Sequence, residues 1–210
     1  MSQLKGSALK IAQMMSMDNG LLPKAYADKF AMAQNSAMAL SGPLVMNTFK
    51  KYIGKTPNEV FDKFNVNAVY AASIGQVHEA WKDGHKLAVK LQYPGVADSI
   101  HSDINLVKPL NLRFIGVKEK DVKQYFEEFE ERLNEECDYE LELKNGTEIA
   151  EATKGIPNLI IPKYYKDLSA KKILTMEWID AKPLQYFIDH ETSQEKKNKI
   201  GQALLDFLHS

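Results

Sequence analysis

Lys90 is where chemistry would start. It sits in "LAVKL", Leu87 to Leu91, as the single cation in an apolar strand-forming run. Upstream, Ala71, Ala72, Ser73, Ile74 and Gly75 make a loop of mostly small residues that leads through Gln76 into Val77. Between them, Asp83-Gly84 is a strong hairpin signal, because a type I′ turn needs positive φ at both central positions. That turn sets the register: Lys82 opposite His85, Trp81 opposite Lys86, Glu79 opposite Ala88, and Val77 opposite Lys90. Side chains alternate along a strand, so Val77, Ala88 and Lys90 share one face, while Leu87, Val89 and Leu91 face a core. A flat apolar roof can take a base, and a cation beside exposed backbone N–H groups can take phosphates. A lone strand lysine is usually a solvated edge residue. The small-residue loop over the same face favours the nucleotide reading instead.

A half-buried lysine needs a carboxylate partner. The stretch "EEFEERLNEECDYELE", Glu127 to Glu142, offers many. Most acids in such a run are simply a solvated helix face. Two pairs stand out: Asp138 with Glu142, and Glu136 with Glu140. Each is four apart, where like charges on one helix repel. A cationic side chain or a metal is therefore expected beside at least one pair. Lys90 is one candidate and Lys10 is another.

These residues need elements to carry them. Leu4, Ala8, Ile11 and Met15 recur at helical spacing, and Asn19-Gly20 ends that helix. Tyr26 to Leu40 reads as a second helix, broken by Ser41-Gly42-Pro43. Pro43 to Phe64 is helical in part, with Thr56-Pro57-Asn58-Glu59 as a helix start. After the hairpin, Ala97 to Leu110 reads as helix. Lys120 to Ala152 reads as one long helix with Val122, Phe126, Phe129, Leu133, Cys137 and Leu141 on its apolar side. Leu159 to Tyr165 and Lys172 to Ile179 read as two strands. Helices follow at Leu184 to His190 and Glu195 to His209, the last with Thr192 and Glu195 as a capping box.

Composition sets outer bounds. The 210 residues are 44% hydrophobic and 26% charged, with a net charge of -1. Those values suit a globular chain and argue against nucleic acid as the partner. One cysteine, Cys137, excludes an internal disulfide and fits a reducing compartment. Lys10 interrupts any signal-like apolar stretch near the N-terminus. The uncharged run Ala31 to Phe49 is too polar to span a bilayer.

The strand "AVK" behind a small-residue loop, followed by a helix with a glutamate, resembles the protein-kinase N-lobe plan. In detail, "AASIGQVH", "KLQYPGV", "ECDY" and "LKGSALKIAQMMS" resemble the UbiB/AarF family of atypical kinase-like proteins, associated with ubiquinone synthesis and isoprenoid-lipid homeostasis. The resemblance implies an α+β fold: a kinase-like N-lobe with a small antiparallel sheet and a long helix, an N-terminal helical extension, and the first C-lobe helices. The expected divisions are 1–64, 65–179 and 180–210. The resemblance also assigns roles. Lys90 is the phosphate-binding lysine and Glu142 its helix partner. Glu136 and Asp138 form an "ExD" pair, and Lys10 and Gln13 belong to a "KxGQ"-like helix lying over the site. Ala71, Ala72, Ser73, Ile74, Gly75, Gln76, Val77 and Ala88 surround the nucleotide, and the backbone near Glu177 and Trp178 meets the adenine edge.

The sequence departs from the family pattern at Ala12, where "KxGQ" has glycine, and at Tyr70, where the loop often has its first alanine. No catalytic loop or "DFG" follows before Ser210, so the chain reads as the N-terminal part of an ATP-dependent kinase-like enzyme or ATPase. The implied ligand is ATP or ADP with Mg²⁺, most of whose ligands belong to the family's later segment; no metal ligand is assigned within these residues. Implied partners are lipid or quinone-pathway proteins, with a cytoplasmic location and peripheral membrane contact. The competing expectation is a non-catalytic nucleotide-binding or protein-interaction module.

Overall fold

The computed structural model describes residues 39–72, 74–102, 104–105, 119–190 and 193–210. The expectations for Lys10, Gln13, the two N-terminal helices up to residue 38, and Ser73 lie outside them.

The hairpin of β3 (Gly75–Lys82) and β4 (His85–Gln92) is the frame of the molecule. Asp83 and Gly84 have φ of 51° and 77°, as the two-residue turn requires. The register is the expected one, with Val77 opposite Lys90 and Glu79 opposite Ala88. β5 (Ile173–Glu177) pairs antiparallel with β4, placing Leu174 opposite Lys90 and Met176 opposite Ala88. Two short strands, β1 (Lys63–Phe64) and β2 (Tyr70–Ala71), both pair with β3. The expected strand at Leu159 to Tyr165 reduces to a single bridge, Tyr164 to Met176, followed by a 3₁₀ turn at Lys166–Leu168.

Leu87, Val89 and Leu91 face the back of the sheet and are buried against α1 (Gly42–Ile53) through Val45 and Phe49. Pro43 lies in the first turn of α1, so Ser41-Gly42-Pro43 opens a helix as well as ending what precedes it. α2 (Pro57–Val60) begins at the expected capping box, with the Glu59 carboxylate accepting from the Thr56 backbone N–H at 2.7 Å. Phe61 and Phe64 stack with centroids 5.9 Å apart, and Phe49 meets Phe61 edge-on. The other face of the sheet carries the second core, including Ile74, Ile100, Leu133, Tyr139 and Leu174. Residues 96–102 and 104–105 are helical.

The single long helix expected over Lys120 to Ala152 is two helices. α3 (Glu119–Glu136) stops, and α4 (Tyr139–Ala152) starts with Asp138 as its N-cap. The Asp138 carboxylate accepts from the backbone N–H of Glu140 at 3.0 Å and of Leu141 at 3.1 Å. An aspartate competes well for helix amides from the cap position and poorly from a helix interior. The break is also held from outside, because the Cys137 carbonyl accepts from Gln92 Nε2 at 2.9 Å and from Lys172 Nζ at 3.2 Å. Thus Asp138/Glu142 and Glu136/Glu140 do not repel along one continuous helix.

At the C-terminal end come α5 (Leu184–His190) and α6 (Gln194–Leu208). The cap of α6 is Ser193, whose hydroxyl accepts from the Lys196 backbone N–H, rather than the expected Thr192.

Candidate functional site

Lys90 projects from the middle of β4 toward α4. Its ammonium donates to Glu142 Oε1 at 2.9 Å and Oε2 at 2.8 Å. Glu142 lies in the first turn of α4, where the helix dipole favours a negative charge. Tyr139 lies below the pair, its ring centroid 4.6 Å from the Lys90 ammonium. Tyr139 is fully buried, and burial, then the Glu142 charge, push its phenol pKa up. The cation is thus held by a carboxylate and an aromatic face together.

The position of α4 follows from several attachments. The Asp138 cap and the Cys137 carbonyl clamp fix its start, and the Tyr139 backbone N–H donates to the Lys171 carbonyl at 3.3 Å. At mid-helix, a Cβ on Gly146 would come within 2.5 Å of the Tyr164 ring. Only glycine lets that ring rest on the helix backbone. Gly75 is required for the same kind of reason, since a Cβ there would collide with the Leu91 carbonyl oxygen.

A cleft of about 600 Å³ opens at the pair, lined in part by Ala72, Ile74, Lys90, Arg132, Glu136 and Glu142. Within it, Glu136 and Glu142 face the same space as Lys90, whereas Asp138 is spent as a helix cap. Val77, Ala88 and Lys90 share one sheet face through the observed register.

Other expected site residues take different places. Gln76 is buried on the opposite face. Its Oε1 accepts from the Leu40 backbone N–H at 2.9 Å, and its Nε2 lies 2.8 Å from His78 Nε2. Its side chain is a core strut and does not reach the cleft; β alternation from Val77 already turns it away. The loop is less open as a donor than expected, since the Ala72 N–H donates to the Gly75 carbonyl at 2.8 Å. At the end of β5, the Glu177 N–H donates to the Lys163 carbonyl at 2.8 Å and the Trp178 N–H to the Lys86 carbonyl at 3.1 Å. Both amides expected at an adenine edge are therefore used within the chain.

The Trp178 indole has two close neighbours. Tyr70 stacks on it with centroids 6.0 Å apart and planes 25° apart. Lys86 Nζ lies 4.0 Å from the same indole and 2.6 Å from Glu79 Oε1. The sequence reading missed Tyr139, Gln92 and Lys172 as positioning groups. Gln92 and Tyr139 lie within the motifs "KLQYPGV" and "ECDY", but each of the three acts across the fold, so no local spacing gave its role.

Residues 32–210 match the ABC1 atypical kinase-like domain. The chain belongs to the ABC1 atypical kinase-like family. Its ABC1 relatives include the mitochondrial atypical kinase COQ8B of Danio rerio, 34% identical over 201 residues, covering 94% of this chain and 32% of that protein. The mitochondrial atypical kinase COQ8 of Saccharomyces cerevisiae is 31% identical, covering 97% of this chain and 41% of that protein. Among solved structures, the Rv3197–erythromycin complex of Mycobacterium tuberculosis aligns with a TM-score of 0.62 and 32% identity, over 92% of this chain and 50% of that one. This chain therefore spans half or less of each of these relatives. The ABC1 fold here is α+β and kinase-like: the small antiparallel sheet carries Lys90 and the helix beside it carries Glu142.

Proposed function

We propose that this chain binds the phosphates of ATP or ADP at Lys90 and forms the nucleotide-binding part of an ATP-dependent kinase-like phosphotransferase or ATPase. Quinone and isoprenoid-lipid metabolism is the setting we infer from the family resemblance. The observation that supports the reading best is the Lys90–Glu142 pair at the mouth of a cleft, below a loop of mostly small residues. Phosphoryl transfer is mostly positioning and charge neutralisation. Lys90 would orient phosphate oxygens, Glu142 and Tyr139 would orient Lys90, and Gly75 would let the loop lie close to the sheet.

Mg²⁺, if bound with the nucleotide, would neutralise phosphate charge. Among the described residues, no group of three or more His, Cys, Asp or Glu side chains is arranged to hold a metal ion. The lysine thus fits the phosphates, while the described side chains do not form a metal site. The 1–64, 65–179 and 180–210 divisions belong to the same proposal, although α1 packs on the back of the sheet and Lys63–Phe64 forms one of its strands. Among the described residues no helix is long and apolar enough to cross a membrane. The peripheral membrane contact we propose rests on the family resemblance alone.

Calorimetric titration with ATP, ADP and tripolyphosphate tests the reading. Lys90→Ala removes a charge-assisted contact and should weaken all three by about tenfold or more. Equal affinity for wild type and Lys90→Ala would remove Lys90 from the phosphate site.

A further inference from the structure

The sheet face above Val77 and Ala88 is spanned by an aromatic pair. Tyr70 stands opposite Val77 on β2. Trp178 follows Glu177 of β5 and bonds through its N–H to Lys86 of β4. β3 and β4 lie between them, so their backbones are separated by about three strand spacings, roughly 14 Å. Ring centroids only 6.0 Å apart therefore require both side chains to lean inward over the strands between. Tyr70, Val77, Ala88, Lys86 and Trp178 are all on one face by register and alternation. Lys86 lies beneath the indole and is fixed by Glu79, so Trp178 is folded down onto the sheet.

The two partners are held unequally. Trp178 is anchored by its backbone hydrogen bond and by the Lys86 cation. Tyr70 belongs to a two-residue strand and is 62% exposed. Tyr70 is the ring that can leave.

Resting on the nucleotide reading above, we propose that Tyr70 occupies the base subsite by stacking on Trp178. A purine base enters by displacing Tyr70 and takes over the indole face, while Lys90 engages the phosphates. Trp178 is then the residue that favours a base-bearing ligand over a bare polyphosphate, and Tyr70 competes with the base for its indole face.

The test uses the full chain, its Tyr70→Ala and Tyr70→Phe variants, and two probes, ATP and tripolyphosphate, with binding read by calorimetry. An aromatic stack is worth about 0.5–1.5 kcal/mol beyond its area. Tyr70→Ala should therefore bind ATP about twofold to tenfold more tightly, with tripolyphosphate affinity unchanged. Tyr70→Phe, which keeps the ring, should restore the weaker ATP affinity. In a Trp81→Phe background, Trp178 is the sole tryptophan, and its emission should respond to ATP but not to tripolyphosphate. If ATP binds but Tyr70→Ala leaves its affinity equal or lower, the displacement model is overturned while the phosphate site stands. If neither probe binds wild type or variants, the nucleotide reading falls and this inference falls with it.

Discussion

The Lys90 ammonium touches both carboxylate oxygens of Glu142, at 2.9 and 2.8 Å, across 52 positions of sequence. A single donor group satisfying both oxygens makes the two residues a coupled unit. Glu142 is about a third exposed and Lys90 less so, so solvent screens the pair. Lys90→Met and Glu142→Gln should each lower unfolding free energy by about 1 kcal/mol. The double variant should lose less than the sum. Urea denaturation of the four proteins measures this, and zero coupling would mean that the pair is not formed in solution.

Tyr139 gives a separate expectation. Its buried hydroxyl makes no hydrogen bond of good geometry among the described residues, although Gln92 is near enough to act on it weakly and its ring supports Lys90. Removing an unsatisfied buried hydroxyl is favourable, so Tyr139→Phe should raise stability by about 1 kcal/mol. Tyr139→Ala removes the ring and should cost about 4 kcal/mol. Thermal and urea unfolding will show a destabilised Tyr139→Phe if the hydroxyl is in fact paired.

Asp138 and Glu136 should separate. Asp138→Ala loses the α4 cap and should destabilise the protein by about 1 kcal/mol. Glu136→Ala leaves the cap intact and should cost less stability than Asp138→Ala. Comparable losses in both variants would contradict the helix break at Cys137–Asp138.

The unequal legibility of the sequence has a physical reason. The Asp83-Gly84 turn is local, and its two positive φ values leave one register, so the lysine face could be placed from a few residues. The Lys90–Glu142 pairing came from family resemblance, because charge spacing alone left Lys10 open as well. The break before Tyr139 was hidden, since Leu133, Cys137 and Leu141 continue a helical apolar period straight through it. What enforces the break are Gln92 and Lys172, distant in sequence, which take the Cys137 carbonyl. Gln76 was drawn into the site by its motif, whereas its strand parity sends it to the core.

His78 provides a pH-dependent expectation. It is fully buried, with Nδ1 2.9 Å from the Asn65 carbonyl and Nε2 2.8 Å from Gln76 Nε2. Gln76 Nε2 can only donate, so neutral His78 accepts at Nε2 and donates from Nδ1. Burial pushes its pKa down, partly opposed by the Asn65 hydrogen bond. The unfolded chain therefore takes up this proton first as pH falls below about 6.5. The His78 contribution is full above that pH and is lost as pH falls toward the folded-state pKa. Urea midpoints should drop between about pH 7 and pH 5, and His78→Gln should flatten that part of the curve. An unchanged slope in His78→Gln would show that other groups govern the acid limb.

The attachments of α4 also bear on control. Its first turn is tied to β4 and to residues 171–172, and its middle lies against the Tyr164 ring through Gly146. Rotating α4 to separate Glu142 from Lys90 would have to break several of those attachments at once. Movement of α4 as a body is therefore a costly way to break the ion pair. A change in access to the cleft, by contrast, can leave the charges inside it in place.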